Sequence, residues 1–366
     1  MEETDDIKFM RRCLELASKS EGSTYPNPMV GSVIVHDRKI IGEGYHLKAG
    51  EPHAEVIAIN AVSDKTKLKS STLYVNLEPC SHFGKTPPCA DFIISNLIPR
   101  VIIGTVDTSE KVSGQGLIRL RDAGCDVITG VVEDECRRLN RRFFTFHEKK
   151  RPYITLKWAQ SADGYLDISR SEDHKIEPTW ITGKPERVLV HKWRASEQAI
   201  LVGAGTLRAD DPRLNVREWK GNNPLRIILS SSGSINKGSV VNEINSTVIV
   251  FTHNKDADIS NAVIVKLNAN VPSAFQIATY LFEAGIQSLL IEGGAKVLNH
   301  FISIGLWDEA RVFTGGIYFN RGVKAPLIHG KILSQTIFSK SSLEIYLRDC
   351  NSVDWSKNIG TKMPEN

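Results

Sequence analysis

Three residues with strong affinity for transition metals stand within one short region of the chain: His53, Cys80 and Cys89. One imidazole and two thiolates are a ligand set that suits tetrahedral zinc. Three protein ligands leave the fourth position open for water, which is typical of catalytic rather than structural zinc sites. The sequence therefore predicts a fold that brings these three side chains together around a zinc ion.

The residues beside these ligands narrow the chemistry. Glu55 lies two positions after His53, and Pro79 directly precedes Cys80. The pattern resembles that of the zinc nucleobase deaminases, in which a glutamate that is not a ligand acts as the general acid and base. The alternative is a structural metal site in which His82 supplies a fourth protein ligand. We favour catalysis because Glu55 and Pro79 complete the deaminase pattern.

Length and charge limit the class of protein. A chain of 366 residues is too long for one ordinary core, so two domains are expected. The net charge of +4 is small and the basic residues are scattered, which predicts neither a nucleic-acid-binding groove nor a membrane-binding face. The start of the chain is acidic, which is not typical of a secretory signal peptide. The six cysteines are interpreted as metal ligands or free buried thiols. Both features predict a cytoplasmic protein. The sequence leaves open whether the chain forms a homo-oligomer.

Alternating strand and helix patterns in the first 150 residues predict a layered α/β domain. Asp5 or Asp6 is expected to cap a first helix, and runs over 30–36 and 40–45 read as a hairpin. Helices are expected from His53 to Ala61 and from Pro87 to Ile94. A strand over 73–77 lies between them, with Cys80 just beyond its end. Further predicted elements are strands over 100–105 and 126–129 and helices over 114–123 and 133–142.

The second half begins after a charged, proline-ended stretch at residues 148–152, which is expected to be a linker. A strand starts at Tyr153, a helix ends near Ala195, and buried strands are predicted over 225–229, 248–251 and 289–291. The last strand runs into Gly293-Gly294 and a helix through Ile304. Paired glycines at such a position let the backbone approach a cofactor phosphate at the helix N-terminus. The tail over 351–366 is polar and predicted to be disordered.

Longer motifs connect the two halves to one known family. The run from Glu78 to Cys89 (EPCSHFGKTPPC), together with YPNPMVG at 25–31 and GEGYH at 42–46, resembles the deaminase half of the bifunctional riboflavin-biosynthesis deaminase/reductases. The runs YITLKWAQSADG at 153–164, WITG at 180–183 and GAGTLRADDPRLNVR at 203–217 resemble the reductase half. The resemblance implies a cytidine-deaminase-like domain over 1–147 and a dihydrofolate-reductase-like domain over 153–350, both α/β.

For the first domain, the resemblance implies hydrolytic removal of the 2-amino group of a diaminopyrimidinone that carries a ribosyl phosphate. Zinc would activate the water and Glu55 would carry the protons. The residues implied to bind this substrate are Asn27, His46, His82, Lys85 and Asp107. Ser109 stands where the family has an asparagine, so a direct contact there is expected to be lost or bridged by water.

For the second domain, the resemblance implies reduction of the ribosyl group to ribityl with NADPH. The residues implied to bind the nucleotide are Trp180, Thr206, Asp210, Ser231, Gly293 and Gly294. Those implied to bind the pyrimidine substrate are Lys157, Arg194, Leu214, Arg217 and Glu292.

Two other functions are compatible with parts of the sequence. A deaminase acting on a base in tRNA or single-stranded nucleic acid would share the zinc motif, but it should show a basic, aromatic groove. A non-catalytic module could use a degenerate site only to hold a metal or a nucleotide. The intact ligands and Glu55 argue against this last reading.

Overall fold

The computed structural model describes residues 4–81, 87–109, 113–169, 178–235, 247–254, 256–257, 259 and 261–349. The chain divides into two compact units between Lys150 and Arg151. Within the described ranges, no helix has the length and apolarity needed to cross a bilayer.

The first unit alternates strands and helices in chain order. Its elements are α1 (Asp5–Ser18), β1 (Gly31–His36), β2 (Lys39–Tyr45), α2 (Ala54–Ala61), a 3₁₀ turn (Lys65–Ser70), β3 (Thr72–Val75), α3 (Cys89–Ser95), β4 (Arg100–Ile103), α4 (Gln115–Asp122), β5 (Asp126–Thr129), α5 (Glu133–Leu139) and α6 (Arg141–Lys149). The strands form a sheet in the order β2-β1-β3-β4-β5. β1 is antiparallel to β2 and β3, whereas β3, β4 and β5 are parallel.

Alternation along these strands builds cores on both faces of the sheet. Leu73 and Val75 pack with the helices α2, α3 and α4, whereas Tyr74 between them faces α1. Successive side chains of a strand point to opposite faces, so a fully buried strand must be apolar on both. The result is a three-layer α/β domain, as predicted.

Two predictions for this unit are corrected by the structure. The cap of α1 is Thr4, whose side chain accepts a hydrogen bond from the Ile7 amide, and the expected caps Asp5 and Asp6 lie in the first turn instead. The single helix predicted over 133–142 is two helices divided at Asn140. The Asn140 side chain is drawn into hydrogen bonds with both the backbone N–H and C=O of Met29, at 2.8 Å each, and its backbone leaves the helical conformation.

The segment expected to be a linker, residues 148–152, is divided between the end of the first unit and the start of the second. Helix α6 includes Glu148 and Lys149, and Lys150 adopts a left-handed conformation. Arg151 is then buried in the second unit, where its guanidinium forms two hydrogen bonds with Asp308, at 2.6 and 2.7 Å. Residues 148, 149 and 151 are therefore held by a helix or by a buried ion pair.

The second unit is built on a long, mostly parallel sheet. Its elements are β6 (Tyr153–Gln160), β7 (Tyr165–Ile168), α7 (Lys184–Ser196), β8 (Ala199–Gly203), α8 (Ala204–Asp210), β9 (Leu225–Leu229), β10 (Val248–Thr252), β11 (Ala262–Lys266), α9 (Ser273–Glu283), β12 (Ser288–Gly293), α10 (Ala295–Ser303), β13 (Glu309–Gly315), β14 (Gly322–Lys324), β15 (Lys331–Ile337) and β16 (Ser341–Leu347). The main sheet has the order β11-β10-β9-β8-β12-β6-β13-β16-β15 in the described residues.

In this spatial order, all strands from β11 through β6 to β13 run parallel to one another. Strand β16 pairs antiparallel with β13, and β15 pairs antiparallel with β16 at the edge. The two faces of this sheet are again both apolar. Leu289 and Ile291 pack with α9 and α10, while Leu290 belongs to a second cluster with α8. Parallel strands of this kind present their carboxyl ends at one edge, where open α/β sheets bind their ligands. Strands β6, β8, β9 and β12 end there.

Candidate active sites

The three expected metal ligands meet in the first unit because three different element ends converge. His53 precedes the first residue of α2, Cys80 follows β3 by five residues, and Cys89 begins α3. Their ligand atoms lie within 4.8 Å of one another. In the described part of the chain, no other group of this kind is found.

The distances fit a tetrahedral zinc site. His53 Nδ1 lies 3.2 Å from Cys89 Sγ and 3.6 Å from Cys80 Sγ. Zinc bonds of ~2.0 Å to nitrogen and ~2.3 Å to sulfur, at tetrahedral angles, separate such ligand atoms by about 3.5 Å. The donor set and these two distances are therefore compatible with a tetrahedral zinc ion. The alternative in which His82 is a fourth ligand concerns a residue outside the described part of the chain.

The backbone of α3 stabilises thiolate at this site. The Cys89 amide N–H donates to Cys80 Sγ at 3.3 Å. Hydrogen bonds from Cys89 and His53 lower the pKa of Cys80 to about 4, although burial opposes them. The pKa of Cys89 is raised, chiefly because it is hydrogen-bonded to the Cys80 sulfur in a buried position. One thiolate is thus ready at neutral pH, and the second proton must leave when a metal binds.

Glu55 lies in the first turn of α2 and is only 3% exposed. Burial raises the pKa of its carboxyl group to about 7, although the nearby His53 opposes the change. A carboxyl group with a pKa near neutrality can both accept and return a proton. This is the property that the sequence pattern assigned to Glu55.

Two of the expected substrate-binding residues form a chain of hydrogen bonds beside this cluster. His46 is buried, and its ring lies edge-on to His53 with centroids 5.2 Å apart. Its Nδ1 donates to the Pro52 carbonyl at 3.1 Å, so that Nε2 is free to accept the Asn27 amide N–H at 3.0 Å. The Asn27 side chain is therefore held in a fixed orientation beside the cluster, and burial lowers the pKa of His46.

Asp107, a further expected substrate contact, is also buried. One oxygen of its carboxylate accepts the Ser109 backbone N–H at 2.7 Å, so that oxygen is engaged within the protein. The two remaining predicted contacts, His82 and Lys85, lie outside the described residues.

Glu78, which was not identified from the sequence, holds the chain around Asp107 and the start of α4 in place. Glu78, two positions before Cys80, is buried and accepts the backbone N–H groups of Asp107, Gly114 and Gly116 at 2.9 to 3.1 Å. It ties the start of α4 to the strand end that carries Cys80. Its position inside the EPC run was visible in the sequence, but its long-range partners were not.

In the second unit, a cavity of about 780 Å³ opens at the carboxyl ends of the parallel strands. All but one of the expected reductase residues line it: Lys157, Trp180, Arg194, Thr206, Asp210, Arg217, Ser231, Glu292, Gly293 and Gly294. The exception is Leu214, which is buried in the apolar cluster with Val202 and Leu207. Strand ends and the helices that follow them supply most of the lining.

A buried charge cluster lies at the base of this cavity. Strand pairing places Lys157 of β6 next to Glu292 of β12, with Lys157 Nζ 4.0 Å from Glu292 Oε2. Arg194 of α7 binds the same carboxylate with two hydrogen bonds of 2.7 Å. Burial alone would raise the pKa of Glu292, but Arg194 and Lys157 outweigh it and hold the pKa at about 2. Burial lowers the pKa of Lys157, and Glu292 opposes the change.

The turn after β12 has the geometry expected for binding a phosphate-bearing cofactor. Gly294 has a positive φ of 77°, which glycine adopts without strain, and it directly precedes α10. A Cβ at Gly294 would lie 3.2 Å from Thr206 Oγ1, so the glycine keeps a shallow hollow open between the turn and α8. Backbone amides at a helix N-terminus favour an anion in such a hollow. The residues present therefore fit a nucleotide cofactor.

Trp180 and His191 also line this cavity. Trp180 is 55% exposed and carries the Arg187 guanidinium over its ring at 4.6 Å. His191 was not identified from the sequence, although it precedes Arg194 by three residues on α7 and thus shares its face of the helix. That spacing was the available signal.

Comparisons with known proteins match both halves of the chain. Residues 3–105 match the family model described as the cytidine and deoxycytidylate deaminase zinc-binding region, and residues 152–354 match the RibD C-terminal domain. The riboflavin biosynthesis protein RibD of Aquifex aeolicus is 41% identical over 313 residues, covering 84% of this chain and 86% of that protein. RibD of Escherichia coli is 35% identical over 326 residues, covering 84% and 87%.

Solved structures of relatives have the same architecture over nearly the whole chain. A deaminase/reductase from Thermotoga maritima is 36% identical with a TM-score of 0.85, covering 94% of this chain and 99% of its own. RibD of Acinetobacter baumannii is 30% identical with a TM-score of 0.82, covering 94% and 98%. The expected fold, a cytidine-deaminase-like domain followed by a reductase domain, is confirmed. The chain belongs to the RibD family, the bifunctional deaminase/reductases of riboflavin biosynthesis.

Proposed function

We propose that this protein deaminates a diaminopyrimidinone ribosyl phosphate in its first unit and reduces the ribosyl group of the product in its second. The Thermotoga maritima relative is described as a diaminohydroxyphosphoribosylaminopyrimidine deaminase and 5-amino-6-(5-phosphoribosylamino)uracil reductase. The observation that carries the proposal is the meeting of His53, Cys80 and Cys89 beside the buried Glu55. A separate cavity with a buried charge cluster then accounts for the second reaction.

The first reaction requires a group that moves protons between water, ring nitrogen and the departing amine. Zinc held by His53, Cys80 and Cys89 supplies the Lewis acidity that makes water a nucleophile at neutral pH. Glu55 would take a proton from water and give it to the ring nitrogen as the hydroxide adds, and would then move a second proton, from the added hydroxyl group, to the amine that leaves as ammonia. Its pKa of about 7 in the metal-free site suits both directions, and the charge of a bound metal would lower that value.

Asn27 and His46 are proposed to orient the pyrimidine. Because Nδ2 of Asn27 donates to His46, its Oδ1 is left to accept an N–H from the substrate. His46 then acts through Asn27, and it is held by Pro52 rather than by the substrate. Lys85 remains our candidate for the substrate phosphate, and His82 and Asp107 remain candidates for further contacts.

The second reaction requires two bound partners and a fixed geometry between them. NADPH supplies the reducing equivalents when bound. Gly293, Gly294 and Thr206 are proposed to hold its phosphates, with Trp180, Asp210 and Ser231 as further contacts. Lys157, Arg194 and Glu292 are proposed to bind and orient the pyrimidine ribosyl phosphate together with Arg217 and the segment at Leu214.

We expect the substrate to be a small molecule rather than nucleic acid, because the net charge is only +4. The free thiols and the use of NADPH favour a cytoplasmic location.

A coupled assay tests this proposal. Zinc-loaded protein is given the diaminopyrimidinone ribosyl phosphate, and ammonia release and NADPH oxidation are followed together. We expect ammonia to appear first and NADPH to be consumed only after it. Ammonia without NADPH oxidation would refute the second half of the proposal, and neither signal would favour the non-catalytic module.

A further inference from the structure

His191 is a buried side chain in the reductase cavity to which the proposed mechanism gives no task. It lies on α7, is only 4% exposed and lines the cavity together with Arg194 and Arg217. Its Nδ1 accepts the backbone N–H of Arg217 at 3.2 Å. The ring therefore connects α7 to the segment that carries Arg217.

That hydrogen bond determines which nitrogen of His191 carries the proton. An imidazole nitrogen that accepts a backbone N–H has no proton of its own, so in the neutral ring the proton is on Nε2. Burial, with the charges of Arg194 and Arg217, lowers the pKa of His191 to about 4, and Glu218 and Glu292 oppose the change. The ring is thus neutral at pH 7, with Nε2–H as a donor.

This donor has no acceptor in the described part of the protein. The hydrogen bond to Arg217 engages Nδ1 alone. The His191 ring also lines the cavity, so this donor is available to a ligand bound there. A buried ring that presents one unused donor to a ligand cavity has the geometry of a recognition group.

The charges around His191 indicate what that donor would meet. Arg187, Arg194 and Arg217 all line the cavity. Burial and the neighbouring cations Arg194, Arg213 and Arg187 lower the pKa of Arg217, while Glu218 opposes them. The carboxylate of Glu292 is already engaged by Arg194 and Lys157. Arg187 pairs with Glu218 at 3.9 Å, so in the described residues Arg217 is the cation near His191 that remains for a ligand, and it favours an anionic group such as a phosphate.

We propose that His191 positions the reductase substrate by donating from Nε2 to a phosphoryl oxygen of its ribosyl phosphate, while Nδ1 holds the Arg217 segment in place. This inference rests on the proposed function, since it takes the substrate from there. It adds a specificity-determining contact: a pyrimidine riboside without the phosphate loses this hydrogen bond.

Two amide substitutions separate the two nitrogens of the ring. In His191→Asn, the amide oxygen can replace Nδ1 as the acceptor for Arg217, but nothing reaches the position of Nε2. In His191→Gln, the longer side chain places an amide N–H near the position of Nε2. Each variant is assayed for reduction of the deaminated pyrimidine ribosyl phosphate and of its dephosphorylated counterpart, and NADPH binding is measured by fluorescence.

We expect His191→Asn to raise KM for the phosphorylated substrate roughly tenfold or more, with a much smaller change in kcat, because a hydrogen bond to a charged group is lost. With the dephosphorylated substrate, His191→Asn and wild type should be equal. His191→Gln should recover much of the lost affinity. NADPH affinity and the thermal unfolding midpoint should remain close to those of wild type.

Three results would overturn the inference. They are an unchanged KM in His191→Asn, an equal loss with both substrates, and a loss of NADPH affinity that matches the loss of activity. The last would assign the donor to the cofactor. If wild-type protein itself fails to oxidise NADPH with the deaminated substrate, the proposed function is refuted and this inference with it, which distinguishes the two failures.

Discussion

The fold buries the carboxyl group of Glu55 beside the metal-ligand cluster of His53, Cys80 and Cys89. We expect Glu55→Gln to keep its zinc, because the glutamate is not among the ligands, and to lose deamination by about 100-fold or more. Reduction of the deaminated substrate should be unchanged. Zinc content by elemental analysis and the two separate assays check this, with the exposed Glu51→Gln as a matched control. Retained deamination in Glu55→Gln would remove the residue from the mechanism.

Glu292 shows how two cations keep a buried carboxylate ionised. Its pKa of about 2 lies below the ordinary value of 4.5, so ionised Glu292 stabilises the folded protein above pH 4.5. That contribution is lost as the pH falls from 4.5 toward 2. We expect Glu292→Gln to be less stable than wild type at pH 6, with a difference that narrows by up to about 3 kcal/mol on acidification.

Urea unfolding of both proteins between pH 6 and pH 3 measures this difference. Other carboxyl groups titrate in both proteins and so cancel in the comparison. A gap that stays constant with pH would mean that Arg194 and Lys157 do not hold the charge of Glu292 in the way the structure indicates.

The first turn of α4 packs directly against the strand end that carries Cys80. A Cβ at Gly116 would lie 2.1 Å from the Pro79 carbonyl oxygen, closer than any real contact. We therefore expect Gly116→Ala to displace the Pro79-Cys80 step and to weaken zinc binding at least tenfold in a competition titration with a chelator. The neighbouring exposed Gln115→Ala is the control. Unaltered zinc affinity in Gly116→Ala would show that this contact does not position Cys80.

At the level of helices and strands, the sequence predicted what short-range pattern controls. The hairpin of β1 and β2, the helix beginning after His53 and the strand β5 follow from apolar periodicity and turn residues. The break between α5 and α6 did not follow from them. It depends on Asn140 finding Met29 more than a hundred positions away, and no local signal in the sequence indicates that partner.

The edge strand β15 of the second sheet was missed for a related reason. Strand β15 is exposed along most of its length and has no apolar alternation to reveal it, since its hydrogen bonds to β16 are what make it a strand.

At the scale of the whole molecule, each site is assembled from residues that are far apart in sequence. The zinc ligands were predictable because their residue types and the flanking Glu55 carry the chemistry. The role of Glu78 and the hydrogen bond between Arg217 and His191 were not, because each depends on a backbone N–H that only the folded chain brings near. In the second unit, the resemblance to a known family identified ten residues that line the cavity. Periodicity alone would have given only a weak prediction of nucleotide binding.

We propose that this one chain carries two active sites that act in a fixed order. Identifying the products by mass spectrometry tests this most directly, with zinc-loaded wild-type protein and the diaminopyrimidinone ribosyl phosphate, with and without NADPH. We predict that without NADPH the deaminated pyrimidine accumulates with its ribosyl group intact, and that NADPH converts it to the ribityl product. A ribityl product that still carries the 2-amino group, or no deamination at all, would contradict the account.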